Sequence, residues 1–266
     1  MTDLHFTTFA SVSVVIVVGV VIALAGVVLV AIGIRHRQEN SFILGILRIV
    51  NLGYARVVHG IRPGDDPLPE TGPALLVSNH RSGVDPLVIY AHTRRIVRFM
   101  MAREYYMIPL LRWIFEAVNA IPVNRDGHDF TATKRALRAL HNGEVVGIFP
   151  EGRIRHLDPE VTFTSFDDGD NTDTVKHGAA LLALRANVPI IPVYIDGTPT
   201  SESVIRALFS FSRSRVAFGE PLHLESPGSK SSRGHLEEAT QRIIGAIATL
   251  KSECNAEKSL TRTKVG

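Results

Sequence analysis

The sequence predicts an α/β domain preceded by an N-terminal transmembrane helix and an interfacial amphipathic helix. Three observations carry that expectation. The chain opens with a long uncharged stretch, short apolar runs then alternate with helical patterns, and two of those runs end in reactive sequences. These are Asn79-His80-Arg81-Ser82-Gly83-Val84-Asp85-Pro86 and Phe149-Pro150-Glu151-Gly152-Arg153.

From Phe6 to Ile34 there are 29 residues without a charge. As a helix rising about 1.5 Å per residue they exceed a hydrocarbon core of about 30 Å. The stretch lacks the positive start, the short apolar region and the cleavage site of a signal peptide, so residues 1–37 read as a retained transmembrane anchor. Every Lys and Arg follows position 34, beginning with Arg35 and Arg37. The positive-inside rule therefore places the N-terminus outside and the rest in the cytoplasm, as a single-pass protein of the cell membrane. Gly19, Gly26 and Gly33 recur every seven residues, and Ala23 completes a Gly-x-x-x-Ala spacing. This small-residue face offers a seat for the next segment or for a second copy in a helix-mediated homo-oligomer. Glycine is common in membrane helices, so the spacing does not choose between these readings and none.

Residues 38–61 form the second element. The run from Ser41 to Val58 mixes Phe42, Ile43, Leu44, Ile46, Leu47, Ile49, Val50 and Leu52 with Arg48 and Arg56. Two interior arginines fit a helix lying in the membrane interface better than a second span.

The chain beyond reads as one domain over residues 62–254, with a disordered tail over 255–266. Strands are expected at 74–77, 96–101, 120–123, 145–149, 190–195 and 215–218. Helices are expected at 86–92, 105–118, 131–141, 175–186 and 235–253, the last with Leu236, Ala239, Ile243, Ile244, Ile247 and Leu250 on one side. The stretch from Arg155 to Thr174, with Asp158, Asp167, Asp168, Asp170 and Asp173, reads as a polar excursion. It lacks the calcium-loop pattern that ends in glutamate, and no metal site is expected.

Charge narrows the function. Beyond residue 34 the chain carries 29 basic and 25 acidic residues, a net charge of +4. That mild excess suits anionic headgroups or phosphate-bearing substrates, and it lacks the basic and aromatic stripe of a nucleic-acid binder. The single cysteine, Cys254, excludes an internal disulfide framework and fits a reducing compartment.

Leu75-Leu76-Val77 reads as a buried strand, so Asn79 and His80 should emerge at its C-terminal edge, where open α/β sheets bind ligands. In a continuous helix, residues five apart point about 140° away from each other. His80 and Asp85 can meet only if residues 81–84, including Gly83, form a turn. If they meet, Asp85 orients the imidazole and His80 can take a proton from an alcohol. The same residues also fit an N-cap aspartate followed by a first-turn proline, beside a solvated histidine. Glu151 follows another strand, at a turn that Pro150 and Gly152 shape, and Arg153 and Arg155 beside it offer donors to a phosphate or carboxylate. Arg125 likewise follows a strand, in a sequence that also fits a plain surface turn.

Four blocks together resemble the glycerolipid acyltransferase family typified by lysophosphatidic acid acyltransferase. They are Asn79-His80 with Asp85-Pro86, Ile121-Pro122-Val123-Asn124-Arg125, Phe149-Pro150-Glu151-Gly152 and Val188-Pro189-Ile190-Ile191-Pro192-Val193, in the family's order. The resemblance implies a mixed sheet flanked by helices, with His80 as general base and Asp85 as its orienting partner. Asn79, Arg125, Glu151, Gly152, Arg153 and Arg155 become candidate substrate contacts. Arg103, standing where similar proteins carry a basic lysine, joins them. The implied reaction moves a fatty acyl group from acyl-CoA or acyl carrier protein to a lysolipid hydroxyl, with lysophosphatidic acid the leading acceptor and no cofactor. Glycerol 3-phosphate, another lysophospholipid or a lyso-aminolipid are rival acceptors. A thioesterase or a non-catalytic lipid-binding protein are the alternatives in other classes. Two departures fall near the acceptor contacts. Arg153-Ile154-Arg155 stands where the family has Thr-Arg-Ser, and the stretch from Glu151 to Lys176-His177-Gly178 is longer than usual.

Overall fold

The computed structural model describes residues 42–62, 64, 66–124, 129–151, 173–201, 203–225 and 233–263. The chain divides into a unit of residues 1–51 and a unit of residues 52–266. Helix α1, Phe42–Val58, is the amphipathic segment the sequence announced. Among the described residues no helix is long and apolar enough to cross a membrane, and the expected anchor at 1–37 lies outside them.

The larger unit is built on a sheet whose strands are β1 (Ala74–Ser78), β2 (Val97–Ala102), β3 (Ile121–Val123), β4 (Val145–Ile148), β5 (Ile190–Asp196) and β6 (Arg215–Phe218). Their order is β3-β2-β4-β1-β5-β6. All neighbours run parallel except β5 and β6, which makes the sheet mixed. Strand β1 is central and wholly buried, and its alternate residues feed two cores. Leu75 and Val77 join one formed with α5 (Phe130–His141), α6 (Asp173–Ala186) and α8 (Arg233–Thr263). Ala74 and Leu76 join the other, with Ala55 of α1 and with Val88 and Ile89 of α2 (Asp85–Tyr90). A strand buried on both faces must be apolar throughout, which is why Ala-Leu-Leu-Val shows no polar alternation.

Strand limits fall within a residue of those expected, but three helical expectations need correction. The helix expected over 105–118 is two, α3 (Arg103–Tyr106) and α4 (Pro109–Ala117). Pro109 disfavours helical geometry in the residue before it, and Ile108 accordingly has ψ 116°. A short helix that the sequence did not announce, α7 (Val204–Leu208), starts at Ser203, whose side chain accepts from the Arg206 N–H. The supposedly disordered tail is helical to Thr263. It is polar, but it has no Gly or Pro up to Thr263, so nothing breaks α8 over the described part of the tail. Asn119 and Asn187, both at φ 51°, turn the chain out of α4 and α6 towards the next strands, a left-handed conformation that asparagine tolerates.

Candidate active site

Strand β1 pairs with β5 through Ser78 opposite Val193, and there its main chain leaves the sheet. Asn79 makes the departure possible. Its Nδ2 donates to the Ile195 carbonyl at 2.9 Å and its Oδ1 accepts from the Ile195 N–H at 2.7 Å. The side chain thus occupies both backbone groups of Ile195 while the Asn79 main chain turns away. Asn79 is 1% exposed. Both ends of the amide are taken by β5, which gives Asn79 a structural role at this edge.

His80 emerges next, and the chain doubles back through a turn closed by Asp85 N–H to the Ser82 carbonyl at 3.1 Å. The turn brings His80 Nδ1 to 2.9 Å from Asp85 Oδ2. The same oxygen accepts from the Arg81 N–H at 2.6 Å and the Ser82 N–H at 2.8 Å. The N-cap alternative is not what is built. Val84 occupies that position, and the Asp85 carboxylate reaches back across the turn. Asp85 is fully buried, while the His80 side chain keeps 15% exposure. With Nδ1–H donating to the carboxylate, Nε2 carries the free lone pair. Gly83 leaves room beside this turn for Val204, since a Cβ there would lie 2.8 Å from Val204 Cγ2.

The Phe-Pro-Glu block supplies a second constraint on His80. The Phe149 ring stacks on the imidazole, with centroids 4.2 Å apart and planes 19° from parallel. Phe149 in turn stacks on Phe99 at 5.5 Å. Gly147 makes room for Phe99, because a Cβ at that position would lie 2.5 Å from the Phe99 ring. The apolar strands thus form a stack that ends on the proposed base.

The C-terminal ends of neighbouring parallel strands place further groups along this edge. Glu151, half-buried, lies in the turn after β4, and Arg103, exposed, opens α3 directly after β2. Arg125, Gly152, Arg153 and Arg155 lie outside the described residues. Other residues that the sequence did not single out also converge here. The Arg81 guanidinium lies 3.7 Å from Asp196 Oδ1 at the end of β5, and the Lys258 ammonium of α8 contacts the other Asp196 oxygen. Arg81 could have been noticed from its place beside His80. Lys258 gave no signal, because only the tertiary fold brings α8 back to the end of β5.

His59, just past α1, is buried, and it shares hydrogen bonds with Ser212 Oγ at 2.8 Å and Tyr54 OH at 2.9 Å. Burial pushes its pKa below the usual histidine value, against a smaller upward pull from the Asp85 carboxylate. Burial also pushes the Tyr54 hydroxyl up to about 12. A cavity of about 350 Å³ bordered by Arg98, Arg135, Arg138, Asn119 and Asn142 lies away from this site, towards the N-terminal ends of β2 and β3.

The family described as Acyltransferase matches residues 62–196, which include every residue of the His80–Asp85 turn, Phe149 and Glu151. The chain is 25% identical over 157 residues to a 1-acyl-sn-glycerol-3-phosphate acyltransferase of Bacillus subtilis, covering 59% of this chain and 70% of that protein. It is 27% identical over 181 residues to the Streptococcus pneumoniae protein of the same name, covering 67% of this chain and 61% of that one. Its fold is similar to the crystal structure of the 1-acyl-sn-glycerophosphate (LPA) acyltransferase PlsC from Thermotoga maritima. That match has TM-score 0.56 and 20% identity and covers 86% of this chain and 89% of that one. By the matched stretch and these relatives, this chain belongs to the glycerolipid acyltransferase family, a family of O-acyltransferases.

Proposed function

We propose that the protein transfers a fatty acyl group from a thioester, acyl-CoA or acyl carrier protein, to the free hydroxyl of lysophosphatidic acid, giving phosphatidic acid for phospholipid synthesis. The single observation that carries this reading is His80, fixed at Nδ1 by the buried Asp85 carboxylate with Nε2 free at the sheet edge. The names of the bacillary and streptococcal relatives support the choice of acceptor.

His80 Nε2 accepts the hydroxyl proton as the alcohol oxygen attacks the thioester carbonyl. The new C–O bond forms, the carbonyl electrons move onto oxygen, and imidazolium is held by Asp85. Collapse of the tetrahedral intermediate breaks the C–S bond, and His80 returns its proton to the departing thiolate. An alkoxide is inaccessible near neutral pH, so base catalysis is needed, and a positioned base contributes about 10²–10⁴-fold. Asp85 sets the tautomer, while the Phe149 ring limits the imidazole to one plane. Arg103, Glu151 and Arg125, with Gly152, Arg153 and Arg155, act as the acceptor contacts in this reading. Residues 1–37 hold the enzyme in the cell membrane with the catalytic unit on the cytoplasmic side, and α1 lies in the interface.

The test is acyl transfer from labelled acyl-CoA and from acyl carrier protein to a panel of lysophosphatidic acid, glycerol 3-phosphate and other lysolipids. Product with lysophosphatidic acid above the others is expected. Fatty acid released without any acceptor would show a hydrolase instead.

A further inference from the structure

The segment between β5 and β6 has its sides reversed. From Phe209 to Arg215 exposure alternates strictly. Phe209, Phe211, Arg213 and Arg215 are exposed, Ser210 and Ser212 between them are half-buried, and Ser214 is buried. Phe209 is 80% and Phe211 79% exposed, and Ile205 of α7 and Val57 of α1 are 70% and 73% exposed. A chain folded for water alone would place the phenylalanines inside, and a slip of one residue would do so.

The intervening serines oppose that slip. Ser212 Oγ bonds to His59 Nδ1 and to Ser214 Oγ, each at 2.8 Å, and Ser210 Oγ donates to the Arg206 carbonyl at 2.7 Å. The main chain is pinned as well, with the Ser212 N–H on the Val58 carbonyl at 2.9 Å and the Ser214 N–H on the His59 carbonyl at 2.8 Å. A part-buried set of hydrogen bonds, centred on the buried His59 and Ser214, therefore holds the segment in place with its two aromatic rings in the open.

Position and charge indicate what the rings meet. The segment follows the C-terminal end of β5, and its return strand pairs Arg215 with Asp196. It therefore lies on the edge where His80 emerges. Val204, at the start of α7, presses against Gly83 of the His80–Asp85 turn. From Val204 to Arg215 the sequence holds Arg206, Arg213 and Arg215 and no acidic residue. Exposed aromatic and aliphatic side chains in a segment with arginines and no acid suit an anionic lipid surface, where the rings enter the headgroup boundary and the guanidiniums meet phosphates.

We propose that the 204–215 segment, together with Val57, is a bilayer-docking face that seats the catalytic edge on an anionic membrane. The choice of a bilayer over another apolar partner rests on the acceptor being a lipid, as proposed above. It assigns the face of the catalytic unit a task separate from any anchor at residues 1–37: bringing His80 to the depth at which a lysolipid hydroxyl lies.

The test uses the full chain with Trp113 replaced by Phe and a single tryptophan placed by Phe209→Trp, Phe211→Trp or, as control, Thr249→Trp on the exposed side of α8. Each is reconstituted in phosphatidylcholine–phosphatidylglycerol vesicles containing lipids brominated near the headgroup. Fluorescence quenching several-fold stronger at 209 and 211 than at 249 is expected. Equal quenching at the three positions overturns the docking face. Rings shielded from aqueous iodide but not quenched by lipid overturn it too, and assign the patch to another segment of this chain or to a second copy. Because quenching needs no turnover, strong quenching without acyl transfer to any acceptor would leave the docking face standing and sink the enzymatic reading alone. In the active protein, Phe209→Ser with Phe211→Ser should raise the apparent KM for bilayer-borne acceptor several-fold and leave transfer to a dispersed short-chain acceptor unchanged.

Discussion

The ring of His80 lies on the ring of Phe149, with centroids 4.2 Å apart, while its Nδ1 is held by Asp85 at 2.9 Å. The hydrogen bond fixes the direction of the imidazole and the stack fixes its plane, so Nε2 has one direction left in which to point. Phe149→Ala should therefore lower kcat by on the order of tenfold to a hundredfold with a smaller change in acceptor KM, since the base is loosened and no substrate contact is removed. Steady-state kinetics of the variant would check this, and an effect confined to KM would instead place Phe149 against the substrate.

Gly147 acts on the same stack from a distance. A methyl group there would press on the Phe99 ring at 2.5 Å. Gly147→Ala should displace Phe99, and through it Phe149, lowering both stability and kcat. Thermal unfolding and turnover measured on one preparation would show both losses.

Asn79 has both ends of its amide on Ile195. Asn79→Ala leaves two buried backbone groups without partners and should cost on the order of 2 kcal/mol. In a domain of this size that corresponds to a fall in Tm of about 4–8 °C. A variant that keeps the wild-type Tm but binds acceptor poorly would restore Asn79 to the substrate-contacting role read from the sequence.

Two buried histidines set a pH dependence of stability. Burial lowers the pKa of His59 and of His92, with Asp85 and the Val88 carbonyl respectively pulling the other way. The folded values lie below the ordinary 6.5 of the unfolded chain. Their contribution is thus complete above about pH 6.5 and is lost as pH falls through the folded values, because the unfolded state takes up protons first. Denaturation midpoints measured between pH 8 and pH 5 should fall with acidity, and His59→Gln should flatten that slope. An unchanged slope would remove His59 from the explanation.

Much of this was legible in the sequence because the strands are short, apolar and sharply ended. A strand buried on both faces must be a continuous apolar run, and Leu75-Leu76-Val77 and Val145-Val146-Gly147-Ile148 are such runs, so the residues after them could be placed at the sheet edge. The His80–Asp85 contact was conditional on a turn at 81–84, which Gly83 permits. What the sequence concealed depends on tertiary proximity. The stack of Phe149 on His80 joins residues far apart in the chain, as does Lys258 on Asp196. The two bonds from Asn79 to Ile195 were hidden in the same way, because the sequence shows only a polar residue beside a candidate base, which reads as a substrate contact. The tail was misjudged because polarity was read as disorder, although helix formers without a breaker continue a helix that already packs Cys254 into the core.

His80 as general base is tested most directly by acyl transfer from labelled acyl-CoA to lysophosphatidic acid in membranes carrying the wild-type chain, His80→Ala or Asp85→Asn. The expected result is acceptor-dependent phosphatidic acid from the wild type and a loss on the order of 10²–10⁴-fold in His80→Ala, with Asp85→Asn also impaired and all three proteins equally abundant in the membrane. Turnover by His80→Ala at the wild-type rate would contradict the mechanism outright.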